Sequence, residues 1–249
     1  MPEFGLIGYP LGHSFSKKYF TGKFEKEALT DCTYENFPIE NIDLLPEIIR
    51  NNPALAGLNV TIPYKLEVFK YLDGVEGPAK EIGAVNVVKI NRENGIITTK
   101  GYNSDFYGFK QSLAPLLKHH HTHALILGTG GASKAVKFAL ASLGISYQFV
   151  SRTAGKAENC ISYAQLNENI INSHKLIINT TPLGTAPNVE TCPEIPYHFL
   201  GRDNLLYDLV YNPATTKFMQ RGAAQGATCV NGLQMLHLQA EKAWEIWNS

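Results

Sequence analysis

The chain has 249 residues, 44% hydrophobic and 18% charged, with 22 lysines and arginines balancing 22 aspartates and glutamates. That is ordinary globular usage, long enough to bury one large core or two modest ones. A balanced charge leaves no overall field to gather nucleic acid, an acidic surface or a membrane, so whatever binds must be held by local groups.

Short apolar runs alternate with longer helical patterns, the signature of βα units that build parallel sheets with helices on their faces. Phe4 to Gly8 reads as a first strand, and Ser16 reads as the N-cap of a helix carrying Phe20, Phe24 and Ala28 at four-residue spacing. Leu55 to Val60 is a buried strand. Val85 to Ile90 and Ile96 to Thr99 flank Asn94-Gly95, a pair suited to positive φ, and are predicted to form an antiparallel hairpin. A second block opens near Asp105 with a helix carrying Phe109, Leu113 and Leu116, followed by the strand Ala124 to Leu127 and a glycine-rich turn. Further strands are expected at Tyr147 to Val150, Leu176 to Ile178, Leu205 to Leu209 and around Cys229 and Val230. A last helix runs from Leu233 to Trp247.

No internal repeat appears. Cys32, Cys160, Cys192 and Cys229 lie far apart, which fits reduced thiols better than a disulfide framework or a zinc site. His119, His120, His121 and His123 precede the strand Ala124 to Leu127 without a carboxylate or cysteine partner, so they read as an incidental loop and no metal is expected. No leader is read in MPEFGLIGYP, and no apolar run approaches the ~20 residues of a membrane helix; a cytoplasmic protein without a membrane partner is expected.

Gly128-Thr129-Gly130-Gly131-Ala132 follows an apolar strand and opens a helix through Val136, Ala139, Leu140 and Leu143, the context that a dinucleotide fingerprint requires. Glycines let the backbone turn and approach a pyrophosphate, whose charge then meets free N–H groups at the positive helix end. Ser133 stands where the third small residue of the fingerprint is glycine or alanine. About twenty residues on, an NAD enzyme presents an acid to the ribose; here the strand tip reads Ser151-Arg152-Thr153, with no acid before Glu158. Arg152 offers a guanidinium suited to a 2′-phosphate, with Lys156 as a second positive charge, although a solvated arginine at a strand end is the plainer alternative.

Polar clusters in the first block match no helix face: Gly8 to Ser16 with two hydroxyls, Gly57 to Lys65 with an amide, a hydroxyl and an ammonium, Ala84-Val85-Asn86, and Gly101 to Asp105. Alone, Ser14 or Ser16 is more often a helix cap than a ligand, Lys65 a surface lysine and Asp105 a first-turn acid. Taken in order with Gly128 to Ala132, Asn179 to Gly184, Asp208 to Pro213 and Gly232 to Ala240, these segments resemble the NADP-dependent shikimate dehydrogenases over nearly the whole chain. The chain departs from that pattern at Lys17, where proline is usual, at Phe20 and Thr21, where a His-Asn pair is usual, and at Ser151, where asparagine is usual.

The resemblance implies an α/β fold with an N-terminal substrate domain over residues 1–103, a Rossmann-like NADP domain over 104–232, and a C-terminal helix, 233–249, returning to the first domain. It implies that Ser14 and Ser16 hold a carboxylate while Asn59, Thr61, Asn86, Asp105 and Gln239 bind ring hydroxyls, with Tyr211 as a wall. Lys65 and Asp105 would be the catalytic pair. Gly128, Gly130, Gly131, Ala132, Ser151, Arg152, Thr153, Lys156, Thr180, Leu209 and Gly232 would border NADP. The implied activity is reversible reduction of 3-dehydroshikimate to shikimate in aromatic amino acid (chorismate) biosynthesis, by a monomer or homodimer. Two alternatives stand beside it: an NAD-linked quinate/shikimate enzyme, against which the missing acid argues, and a catalytically silent NADP-binding regulator, which would have no reason to keep Lys65 with Asp105.

Overall fold

The computed structural model describes residues 1–11 and 15–249. Chain contacts divide them into two compact units, one holding Met1–Ser104 with Gln239–Ser249 and the other Asp105–Leu238.

The first unit runs β1 (Glu3–Gly8), α1 (Phe15–Lys26), β2 (Thr33–Pro38), α2 (Leu45–Asn51), β3 (Leu55–Val60), β4 (Gly74–Val75), α3 (Pro78–Ile82), β5 (Val87–Glu93) and β6 (Ile96–Tyr102). Its sheet has the order β2-β1-β3-β5-β6-β4. β1 pairs parallel with β2 and β3, and β5 is antiparallel to both β3 and β6. The β5–β6 hairpin forms about Asn94-Gly95, at φ 51° and 80°, the pair of positive angles a two-residue turn needs to match strand twist. β5 starts at Val87 and not at Val85, and both strands continue past the ends that the apolar pattern suggests, because cross-strand pairing runs from Val87↔Tyr102 through Glu93↔Ile96.

Helix α1 corrects two expectations. It begins at Phe15, so Ser16 is the second helical residue and not the cap; it ends at Lys26, leaving Ala28 outside it at φ 54°. Phe20 and Phe24 still face inward, joining Phe4, Tyr34, Ala243 and Trp247 in one core cluster.

The second unit runs α4 (Asp105–Leu113), β7 (His123–Leu127), α5 (Gly131–Ser142), β8 (Ser146–Ser151), β9 (Cys160–Ser162), α6 (Glu168–Ser173), β10 (Leu176–Asn179), β11 (Leu205–Asp208), α7 (Lys217–Ala223) and β12 (Thr228–Asn231). α4 stops before Leu116, which sits in a 3₁₀ turn over Ala114–Leu116, since Pro115 cannot donate the next helical hydrogen bond. The sheet is parallel throughout, in the order β12-β11-β10-β7-β8-β9. Every residue of β10 and β11 is buried, as expected of strands covered on both faces. Counted from β7, that order is the doubly wound arrangement in which the chain reverses direction across the sheet beside the first strand. Only residues 152–159 connect β8 to β9, with no helix among them, which is short for a parallel crossover.

α8 (Leu233–Asn248) belongs to both units. Met235 packs in the core of the second unit, while Ala240, Ala243, Ile246 and Trp247 pack in the aromatic core of the first. Trp247 stacks on Phe4 with ring centroids 4.8 Å apart, and its Nε1 donates to the carbonyl of Val88 at 3.1 Å. Gly57 makes room for that indole, which a Cβ at this position would strike.

Candidate active site

In the second unit a groove of about 490 Å³ opens at the carboxyl ends of β7, β8 and β10. Gly128 to Gly130 line it after β7, Ser151 to Thr153 with Lys156 after β8, and Thr180 to Leu183 after β10. Gly128 is required twice over: its φ is +103°, and a Cβ there would stand 3.0 Å from both Thr180 Oγ1 and Thr181 Cγ2. Gly130 and Gly131 face open space where α5 begins, so a bound anion can reach the free N–H groups of the first turn. Ser133 fits the tight third position because its hydroxyl donates to the Gly130 carbonyl at 2.7 Å.

The strand tip after β8 is shaped by a small side chain. Ser151 is buried; its Oγ donates to the Thr153 carbonyl at 2.6 Å and accepts from the Thr153 N–H at 3.2 Å. This closed turn leaves Arg152 and Lys156 exposed on the groove. Across the groove, the Thr180 hydroxyl donates to the carbonyl of Leu127 at 2.7 Å. The wall that follows is held by a buried pair: Asn179 accepts from the N–H and hydroxyl of Thr181 at 3.0 and 2.6 Å and donates to Asp208 at 2.9 Å. Asp208 also accepts from the Val210 N–H and the Thr216 hydroxyl. Burial pushes its carboxyl up to about 6 against these hydrogen bonds, which favour the charged form.

Of the residues expected at a cofactor, Gly128, Gly130, Ser151, Arg152, Thr153, Lys156 and Thr180 line this one groove. Gly131 and Ala132 form the first turn of α5. Leu209 and Gly232 meet elsewhere: they follow β11 and β12, and a Cβ on Gly232 would strike the Leu209 carbonyl.

In the first unit, three expected residues share a hydrogen-bonded chain through Tyr34, which the sequence reading did not single out. Ser16 hydrogen bonds to Tyr34; the Tyr34 hydroxyl donates to Asn59 Oδ1 at 2.7 Å; and Asn59 Nδ2 reaches the Asn86 carbonyl at 3.4 Å. Asn86 is buried, donating to the Ser104 hydroxyl at 3.0 Å and accepting from the Ser104 N–H at 2.7 Å. Thr61 and Lys65 lie on the turn that leaves β3. The Thr61 carbonyl accepts from the Tyr64 N–H, and the Lys65 carbonyl accepts from Val85, one residue before Asn86. Gln239 is half-buried on α8. Ser14 lies outside the described residues. In the second unit, Asp105 opens α4 and is buried, and Tyr211 is 37% exposed beyond β11.

His121 is buried. Its Nδ1 accepts from the Lys118 N–H at 2.9 Å, which leaves Nε2 to donate to the Asp203 carbonyl at 3.3 Å, and burial lowers its pKa. Among the described residues no group of three or more His, Cys, Asp or Glu side chains could hold a metal ion, and the four cysteines are free. Among the described residues no helix is long and apolar enough to cross a membrane.

A parallel sheet in this strand order, with a glycine turn after its first strand and a groove at the carboxyl ends, defines a Rossmann-like dinucleotide-binding α/β protein. Residues 6–88 match the family model described as the shikimate dehydrogenase substrate binding domain. The chain is 39% identical to a shikimate dehydrogenase (NADP(+)) of Methanococcus maripaludis, covering 98% of this chain and 90% of that one. It is 38% identical, with the same coverage, to a shikimate dehydrogenase (NADP(+)) of Caldanaerobacter subterraneus. The solved shikimate 5-dehydrogenase of Thermus thermophilus, in complex with NADP(H) and shikimate, superposes with a TM-score of 0.85 at 29% identity, over 99% of this chain and 93% of that one. The chain belongs to the shikimate dehydrogenase family.

Proposed function

We propose that this protein is an NADP-dependent oxidoreductase that interconverts 3-dehydroshikimate and shikimate, with the first unit binding the ring acid and the second the dinucleotide. The observation that carries the substrate side is the chain Ser16–Tyr34–Asn59–Asn86, since a ring polyol needs many uncharged donors and acceptors close together. On the cofactor side, Arg152 and Lys156 supply positive charge at the strand tip where an NAD enzyme carries an acid.

When bound, the dinucleotide supplies the hydride that reaches the carbonyl carbon. Lys65 gives the proton that the carbonyl oxygen needs as its π bond breaks, so one C–H and one O–H bond form and the neutral amine is later reprotonated from water. Asp105 is the orienting carboxylate of this catalytic pair. Ser14 and Ser16 hold the carboxylate, Asn59, Thr61, Asn86, Asp105 and Gln239 the ring hydroxyls, and Tyr211 walls the substrate. Free cysteines suit a cytoplasmic setting, and the working form is a monomer or homodimer.

The experiment is an NADP-linked absorbance assay with shikimate and quinate side by side. Oxidation of shikimate with NADP at a kcat/KM well above that for quinate or NAD is expected. NADP binding without turnover of either acid would overturn the catalytic assignment.

A further inference from the structure

The cofactor groove contains one aromatic side chain among its lining residues, Tyr163, and nothing in the mechanism uses it. β8 and β9 run parallel with Ser151 opposite Ser162. The next residues of each strand, Arg152 and Tyr163, therefore leave the sheet side by side, and both line the groove. Tyr163 packs against the buried core cluster that includes Val150, Ile171 and Ile177 while also lining the groove. Its turn is tied by Gln165, whose side chain accepts from the Ser162 N–H at 2.8 Å and from the Ser162 hydroxyl at 3.1 Å. Because residues 152–159 carry no helix, this turn and Arg152 together border the β8 end of the groove. Burial pushes the Tyr163 phenol up to about 12, with the nearby Arg152 charge pulling the other way.

A flat, rigid, uncharged face beside a guanidinium is the surface on which a heteroaromatic base stacks. We infer that Tyr163 is a specificity-determining residue of the cofactor groove, supplying the face that takes the purine base of the dinucleotide next to Arg152. This inference rests on the cofactor reading proposed above. Phosphate recognition stays with Arg152 and Lys156, and base recognition falls to Tyr163.

The test compares wild type with Tyr163→Phe, Tyr163→Leu and Tyr163→Ala at saturating shikimate. Stacking uses the ring and not the hydroxyl, so Tyr163→Phe keeps KM for NADP within about two-fold. Tyr163→Ala raises it roughly ten-fold, within the range that losing a base–aromatic stack costs, while kcat stays within about two-fold. Inhibition by adenosine 2′,5′-bisphosphate, which carries the base and the 2′-phosphate but no nicotinamide, weakens by the same factor. Inhibition by inorganic pyrophosphate is unchanged. Tyr163→Leu keeps apolar bulk against the core and carries the test if the alanine variant fails to fold; its KM for NADP rises several-fold. A leucine or alanine variant with unaltered KM overturns the inference and leaves the NADP reading intact. Equal weakening of pyrophosphate also overturns it, since the groove itself has then collapsed. If wild type shows no NADP binding, the cofactor reading fails first and takes this one with it.

Discussion

Asn179 and Asp208 lie opposite one another in the β10–β11 register, and the Asn179 amide donates to the Asp208 carboxylate at 2.9 Å with both side chains fully buried. One end of this pair fixes Thr181 in the groove wall, and the other fixes Val210 and Thr216, the cap of α7.

The pair makes a pH prediction. Asp208 titrates at about 6 in the folded chain, against an ordinary value of 3.8. The native state therefore holds the proton more tightly than the unfolded state between these values, and ionising the carboxyl costs stability as pH rises from about 4 through about 6. The cost is complete above that window and amounts to at most about 3 kcal/mol. Denaturant unfolding of wild type and Asp208→Asn at several pH values between 4 and 7 should show that downward contribution in wild type and its absence in the variant. Parallel curves for the two proteins would place the titration elsewhere.

Lys65→Ala should remove turnover by about 10² to 10⁴, the usual worth of positioned acid–base help, while shikimate affinity stays within a few-fold. The ammonium is needed chiefly as charge develops on the oxygen. A variant that keeps more than about a tenth of normal kcat, with chemistry rate-limiting, would remove Lys65 from the mechanism.

Tyr34→Phe deletes one oxygen and keeps the ring stacked on Phe20 at 4.8 Å. It takes the donor away from Asn59 Oδ1 and the partner away from Ser16. We expect a stability loss of about 1 to 3 kcal/mol from the buried polar group left unpaired, a several-fold rise in shikimate KM, and an unchanged KM for NADP. Calorimetry with steady-state kinetics checks all three. Equal weakening of both ligands would show that the hydroxyl serves the fold alone.

Arg152→Asp should reverse the cofactor preference. One or two charge-assisted bonds at about 1.5 to 3 kcal/mol each give wild type a preference for NADP over NAD of tens to thousands in kcat/KM, nearer the low end for an exposed side chain. The aspartate repels the 2′-phosphate and can accept from the NAD ribose, so NADP efficiency falls steeply while NAD efficiency holds or rises. Salt should weaken NADP binding more than NAD binding in wild type. A wild-type ratio near one would point to Lys156 or to a different phosphate site.

The parallel sheet was legible because strands buried on both faces are written as unbroken apolar runs, as in Ala124 to Leu127 and Leu176 to Ile178. The glycine turn was legible because Gly128 needs both a positive φ and the absence of a Cβ. β2 was not: its sequence TYENFP mixes polar residues with a terminal proline at the sheet edge, and Tyr34 was hidden with it. Tyr163 escaped notice because the strand before it is three residues long, too short to show a period. Ser16 looked like a cap because its composition marks a helix start, but only backbone geometry fixes which residue fills that place. Nothing in the string marks Asp208 as a fully buried acid; that follows from the register setting it between Asn179 and Asn231.

α8 gives this molecule an order of assembly. Residues 239–249 complete the first unit, yet they follow the whole of the second in the chain. On a ribosome, the sheet of β1 to β6 emerges early and waits, with Phe4 and Phe20 lacking the indole of Trp247, and Phe24 that of Trp244, which pack on them in the finished protein. The second unit is contiguous and can close first. The N-terminal half of the enzyme is thus the last to mature, and a nascent chain stalled before Gln239 presents an uncovered aromatic face.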